Sequence, residues 1–180
     1  PGPRYTSYPT ADRFVEAFET NAFSEALAAR ESAVAAASLS LYVHLPFCNT
    51  VCYYCACNKV ITKDQSKSAE YIDYLEKEAD LVSARLTGSR EIEQLHFGGG
   101  TPTTLTSDQL ADALSWIRMA FALAPQPEIT IEAHPDSVTA DSMRGLTEAG
   151  FTRISFGIQS TDEQDRIHIG RPMRPRPLRD

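Results

Sequence analysis

The sequence predicts an α/β fold: a partial (β/α) barrel of parallel strands with about four βα units, preceded by an N-terminal helical segment. Three observations carry this expectation. Four short stretches alternate apolar and polar residues, the stretches between them repeat their apolar residues at helical spacing, and each strand-like stretch collects its polar residues on one face. Strict alternation of strand and helix calls for parallel strands joined by right-handed crossovers. A doubly wound sheet is the competing architecture, but helices cover both its faces and its strands tend to be apolar on both. In a barrel one strand face packs on the helices and the other lines the interior, which fits polar sets on one side.

The elements follow in chain order. Residues Ala22 to Ala37 are rich in Ala and Glu, both good helix formers. Leu39, Leu41, Val43 and Leu45 then form one face of a strand, with Ser40, Tyr42 and His44 on the other. Tyr71, Leu75, Ala79, Val82 and Leu86 mark an amphipathic helix that Gly88 can stop. A second strand runs from Ile92 to Phe97 into Gly98, Gly99 and Gly100, presenting Gln94 and His96 on its polar face. Thr106 and Gln109 form a capping box for a helix whose apolar stripe is Leu110, Leu114, Ile117 and Phe121. A third strand covers Glu128 to Glu132, with Thr130 and Glu132 polar. Thr139 caps and Gly150 ends the following helix, and a fourth strand spans Thr152 to Gln159 with Ser155, Gly157 and Gln159 inward. The last polar members of these sets lie near strand C-termini, where barrel enzymes keep their chemistry.

Composition narrows the function. The 180 residues are 42% hydrophobic, enough for a packed core. A net charge of −7, from 17 Lys and Arg against 24 Asp and Glu, argues against broad capture of nucleic acid or of an anionic membrane. No apolar run approaches the roughly 20 residues of a bilayer span, and no secretory leader pattern opens the chain, so a cytoplasmic protein is expected.

All 4 cysteines fall between Cys48 and Cys57, in the loop after the first strand. A disulfide framework would spread them along the chain, whereas clustering favours metal or redox chemistry. Cys48, Cys52 and Cys55 suit a [4Fe-4S] cluster: thiolates match its soft irons, and three of them leave one iron for a small molecule. The amino and carboxylate groups of S-adenosylmethionine can fill that position. A zinc site using all the cysteines is the alternative, but zinc modules usually separate their ligand pairs by a longer loop. Cys57 stays open between a fourth ligand, a redox-active thiol and a small packed residue.

The spacing Cys48, Cys52, Cys55 with Tyr54 before the third cysteine, together with Gly98-Gly99-Gly100-Thr101-Pro102, resembles the radical S-adenosylmethionine superfamily. More narrowly, Pro1 to Thr10, the run Leu41-Tyr42-Val43-His44-Leu45-Pro46-Phe47-Cys48 and Tyr54-Cys55-Ala56-Cys57-Asn58 resemble the oxygen-independent coproporphyrinogen III oxidase family. The resemblance covers nearly the whole chain to about Arg171. It implies decarboxylation of two propionates of coproporphyrinogen III to vinyl groups, giving protoporphyrinogen IX in haem synthesis, started by a 5′-deoxyadenosyl radical.

Carried over by position, the resemblance assigns Tyr42, Tyr54, Gly99, Gly100, Thr101, Glu132, Gln159 and Arg171 to S-adenosylmethionine, of which one or two molecules bind. It brings Arg4, Tyr5 and Tyr8 toward the tetracarboxylate substrate, and it requires an electron donor that the sequence does not identify. His44 and His96 are read as satisfied interior residues. Two departures point elsewhere: His134 stands where these oxidases commonly carry an acid, and Gln159-Ser160 resembles a related haem-chaperone branch. The rival function is therefore a haem chaperone or cluster-binding protein without decarboxylase turnover.

The expected organisation is an N-terminal segment and helix over 1–38, an incomplete barrel over 39–171 and an irregular tail over 172–180. The start at Pro1 and the proline-rich end read as cut, since the resembled family has further strands and a C-terminal domain. A barrel fragment leaves a strand edge unpaired, so this chain alone is expected to be poorly stable or inactive, and the full-length protein a monomer.

Overall fold

The computed structural model describes residues 13–32, 38–64 and 66–174. Its elements are α1 (Thr20–Glu31), β1 (Leu39–Leu45), β2 (Phe47–Cys48), β3 (Val60–Ile61), α2 (Ser66–Arg85), β4 (Glu91–Gly99), α3 (Ser107–Ala120), β5 (Ala122–Ala133), α4 (Ala140–Ala149), β6 (Arg153–Phe156) and α5 (Glu163–His168). The main sheet has four strands in the order β1, β4, β5, β6, every pair parallel. Each strand therefore lies beside the previous one, with α2, α3 or α4 in the crossover, as a β/α barrel is built.

One face of this sheet makes the core. Val43 and Leu45 of β1, Ile92, Leu95 and Phe97 of β4, and Ile129 and Ile131 of β5 are buried against Leu110, Leu114 and Ile117 of α3 and Leu146 of α4. The stripe Tyr71, Leu75, Ala79 and Val82 of α2 packs on the same cluster. Phe97 meets Phe151 edge to face at 5.3 Å between centroids, the arrangement the ring quadrupoles favour. The opposite face is polar and open: Ser40, Tyr42 and Gln94 are exposed, His96 and Glu132 half-buried. That asymmetry is the one expected of a barrel wall.

Local signals hold the helices in place. Thr106 and Gln109 form a reciprocal capping box at the start of α3, and Thr139 and Ser142 do the same for α4. Such a cap contributes about 1 kcal/mol. Gly150 ends α4 in the left-handed region at φ 107°.

Boundaries differ from the sequence-based expectation in three places. β5 starts at Ala122 rather than Glu128, because its first residues also pair with β4 before a register shift between Ile92 and Gln94. Pro125 and Pro127 fall in the shifted stretch, where a missing N–H breaks no ladder bond. β6 ends at Phe156 instead of reaching Gln159, since Gln159 takes φ 72° and the chain turns away. The N-terminal helix begins at Thr20 and runs to Glu31; the rest of that expected helix, 33–37, lies outside the described residues, as do Arg4, Tyr5 and Tyr8. Among the described residues no helix is long and apolar enough to cross a membrane.

Candidate functional site

Beyond β1 the chain turns at Pro46 and enters the cysteine loop. A short parallel pair closes the loop at its neck: β2 and β3 match Phe47 with Val60 and Cys48 with Ile61. Val60 N donates to Pro46 O at 2.8 Å and Thr62 N to Cys48 O at 2.9 Å. Within the loop Cys55 N donates to Cys52 O at 3.0 Å, a tight turn that brings the second and third cysteines together. Cys48, Cys52 and Cys55 are half-buried free thiols, while Cys57 is exposed. All four line a cleft of about 1130 Å³ at the C-terminal ends of the strands.

The glycine run after β4 is fastened to the neck of this loop. Gly100 N donates to Leu45 O and Thr101 N to Phe47 O, both at 2.8 Å. A Cβ on Gly100 would sit 2.6 Å from Phe47 O and 2.7 Å from Pro46 O, so no larger residue fits without moving backbone. Gly99 takes φ 116°, a conformation costly for any side chain. Thr101 Oγ1 reaches Cys48 Sγ at 3.5 Å. Burial pushes the Cys48 thiol up from its ordinary value, and the Thr101 contact works against that.

The polar strand face forms a connected set. The Tyr42 ring stacks on His96 at 5.6 Å and 13°. His96 Nε2 lies 3.3 Å from Glu132 Oε1, and Gly99 N donates to Glu132 Oε2 at 3.3 Å. His44 Nε2 donates to the Asn58 carbonyl at 2.9 Å, which leaves Nδ1 to accept from the Tyr42 hydroxyl at 3.1 Å. Burial, then the nearby Glu132 carboxylate, raises the Tyr42 phenol above its usual value. Both histidines are engaged with neighbouring protein groups.

The far wall comes from the end of the described chain. Arg171 donates from Nε to Gly157 O at 2.9 Å and from Nη1 to Cys52 Sγ at 3.3 Å. Tyr53 N donates to Ile169 O at 2.9 Å, tying the cysteine loop to the residues after α5. Burial raises the Tyr54 phenol, and Arg171 offsets part of that rise. His134, half-buried at the end of β5, accepts from Asp136 N through Nδ1 at 3.1 Å. Burial and the Arg171 charge hold its imidazole below the ordinary value.

Three thiols on one strand-to-helix loop thus face a glycine strip and a carboxylate at the C-terminal mouth of parallel strands. The family model described as the radical SAM superfamily matches residues 42–180. The chain belongs to the radical SAM superfamily. Membership implies a [4Fe-4S] cluster and S-adenosylmethionine as cofactors. The chain is similar to the oxygen-independent coproporphyrinogen III oxidase of Pseudomonas aeruginosa, 44% identical over 180 residues, which covers 99% of this chain and 39% of that protein. It is 42% identical over 170 residues to the Escherichia coli K12 oxidase of the same name, covering 94% and 36%. The solved structure of coproporphyrinogen III oxidase HemN from Escherichia coli, described as a radical SAM enzyme, superposes with a TM-score of 0.85 at 39% identity, over 94% of this chain and 38% of that one. The chain thus spans less than two fifths of the length of these relatives.

The residues present fit what the radical SAM family requires. Three half-buried thiols, with the more exposed Cys57 beside them, make a soft donor set, and Gly99, Gly100 and Thr101 line the same cleft. Among the described residues no group of three His, Cys, Asp or Glu side chains is arranged to hold a metal ion. In a [4Fe-4S] cube each thiolate binds its own iron, a wider arrangement than three donors on one ion. Every position expected to contact S-adenosylmethionine lines the cleft except Tyr42, whose ring stacks on His96, itself in contact with the lining residue Glu132. Sequence reasoning missed α5 and the lining residues Asp136, Gly170 and Arg174. The helix carried a legible signal in Asp162, which caps it by accepting from Gln164 N and Asp165 N, ahead of an acidic first turn.

Proposed function

We propose that this chain is part of an oxygen-independent coproporphyrinogen III oxidase, which converts two propionates of coproporphyrinogen III to vinyl groups and yields protoporphyrinogen IX in haem biosynthesis. The observation that carries the proposal is the cleft at the strand ends, where Cys48, Cys52 and Cys55 face Gly99, Gly100, Thr101 and Glu132. The similarity to oxidases of that name along nearly all of the chain supports it.

Cys48, Cys52 and Cys55 would hold the [4Fe-4S] cluster. The bound cluster and S-adenosylmethionine together supply the radical that starts the oxidation. The chain's own residues bind and orient. Tyr42, Tyr54, Gly99, Gly100, Thr101, Glu132, Gln159 and Arg171 contact S-adenosylmethionine, and a second molecule of it shares these contacts. Glu132 accepts from an ammonium or a ribose hydroxyl, while Arg171 pairs with a carboxylate. Arg4, Tyr5 and Tyr8 approach the substrate carboxylates. The unit over 39–171 contributes the first part of the barrel, 1–38 an N-terminal segment and 172–180 an irregular tail. The full-length enzyme works as a cytoplasmic monomer with a separate one-electron donor.

Anaerobic incubation of the reconstituted full-length protein with coproporphyrinogen III, S-adenosylmethionine and a reductant tests this. Protoporphyrinogen IX appearing with 5′-deoxyadenosine is expected. Tight haem binding without decarboxylation would instead establish the chaperone reading. Iron and sulfide analysis separates both from zinc. C57S is expected to keep the cluster's absorption, and loss of iron from that variant would make Cys57 a ligand.

A further inference from the structure

The guanidinium of Arg171 spends its donors unusually: one on a backbone carbonyl and one on a cysteine sulfur, across 119 positions of sequence. The bond from Nε to Gly157 O fixes the plane of the group against the end of β6. Gly157 is open for this reason, since a Cβ there would lie 2.8 Å from Arg171 Nη2 and 3.0 Å from Gln159 Nε2. The bond from Nη1 to Cys52 Sγ then follows from that fixed plane. Two further contacts hold the same pair of segments together: Tyr53 N to Ile169 O, and the Tyr53 ring lying over Gly170, where a Cβ would be 3.1 Å from Cε1.

We infer that Arg171 is a positioning residue for the Cys52 sulfur and raises the one-electron potential of the cluster that this sulfur would bind. The inference rests on the reading of Cys52 as a cluster ligand and goes beyond contact with S-adenosylmethionine. Guanidinium stays protonated throughout the accessible pH range, so its charge is permanent. Reduction adds one electron to the cluster and makes its sulfurs more negative. A fixed N–H donor and positive charge at one sulfur stabilise that reduced state more than the oxidised one. Hydrogen bonds to ligand sulfurs are among the factors that set Fe–S potentials. With Nε and one Nη1 hydrogen engaged, the other Nη1 hydrogen and both on Nη2 stay available for a carboxylate, so the two roles are compatible.

The test uses the full-length protein, reconstituted anaerobically with iron and sulfide and kept free of S-adenosylmethionine, so that cofactor binding cannot move the result. Midpoint potentials are read by EPR during titration with dithionite and mediators, alongside iron and sulfide content. R171Q is expected to hold its full cluster at a lower midpoint than the wild type. R171K, which restores the charge without the planar fork, is expected to fall between them. An iron-replete R171Q at the wild-type potential overturns the inference. Should R171Q fail to take up iron, R171K decides: a midpoint below wild type supports the role, and an unshifted one refutes it. Loss of iron from both variants refutes it too, since the latch would then be structural alone. A wild-type protein that takes up no cluster would overturn the cluster reading itself, an outcome distinct from all of these.

Discussion

His96 Nε2 lies 3.3 Å from Glu132 Oε1, although the ladder sets His96 opposite Thr130. The contact therefore runs diagonally across two strands toward their C-terminal ends, and it leans the carboxylate over Gly99 N at 3.3 Å. Glu132 is thus held at the cleft by one side chain and one backbone donor. Removing it in E132A is expected to weaken S-adenosylmethionine binding by about 10- to 100-fold, the loss of one charge-assisted hydrogen bond. Equilibrium dialysis against cluster-loaded protein measures this; unchanged affinity would remove Glu132 from the contact set.

Gly100 stands where the glycine strip meets the neck of the cysteine loop. G100A would press a methyl against the Phe47 and Pro46 carbonyls, which are backbone and give little. We expect a loss of about 1–3 kcal/mol in urea unfolding, the usual range for overpacking, with poorer cluster retention. Wild-type stability together with full iron content would contradict this.

Leu114 is fully buried on α3 beneath the sheet. L114A opens a cavity and is expected to cost about 2–5 kcal/mol, read as a lowered urea midpoint at unchanged slope. A cost under 1 kcal/mol would mean that the helix collapses onto the sheet to fill the space.

The His134 imidazole is held below its ordinary value of 6.5 by burial and by Arg171. Between the folded value and 6.5 the unfolded chain binds more protons, so stability rises with pH there. Its contribution is intact above 6.5 and is lost as pH falls through that value toward the folded one. Geometry agrees, because a proton on Nδ1 would take away the acceptor for Asp136 N. H134N, whose amide oxygen can accept the same bond at any pH, should flatten the fall in stability between about pH 7 and 5. Denaturation midpoints across that range check it; an unchanged slope in H134N would place the pH dependence elsewhere.

The four strands of the main sheet and the helices between them were legible because their signals are local. The alternation from Leu39 to Leu45 follows from the two-residue period of a strand, and Thr106 with Gln109 closes a capping box within one turn. The strand ends were less legible. Whether Ala122 pairs with Glu91 depends on the neighbouring strand, and the turn at Gln159 depends on Gly157 and on the Arg171 side chain lying over it.

The cysteine spacing, with Tyr54 and the Gly98-Gly99-Gly100-Thr101-Pro102 run, pointed by itself to the superfamily and to the loop that bears the cleft, because that chemistry needs soft ligands at short intervals. Only the tertiary structure decided what surrounds those thiols. Thr101 meets Cys48 and Arg171 meets Cys52 because parallel crossovers bring strand ends far apart in sequence to one mouth. Such meetings are products of register and crossover handedness, and no spacing along the chain encodes them.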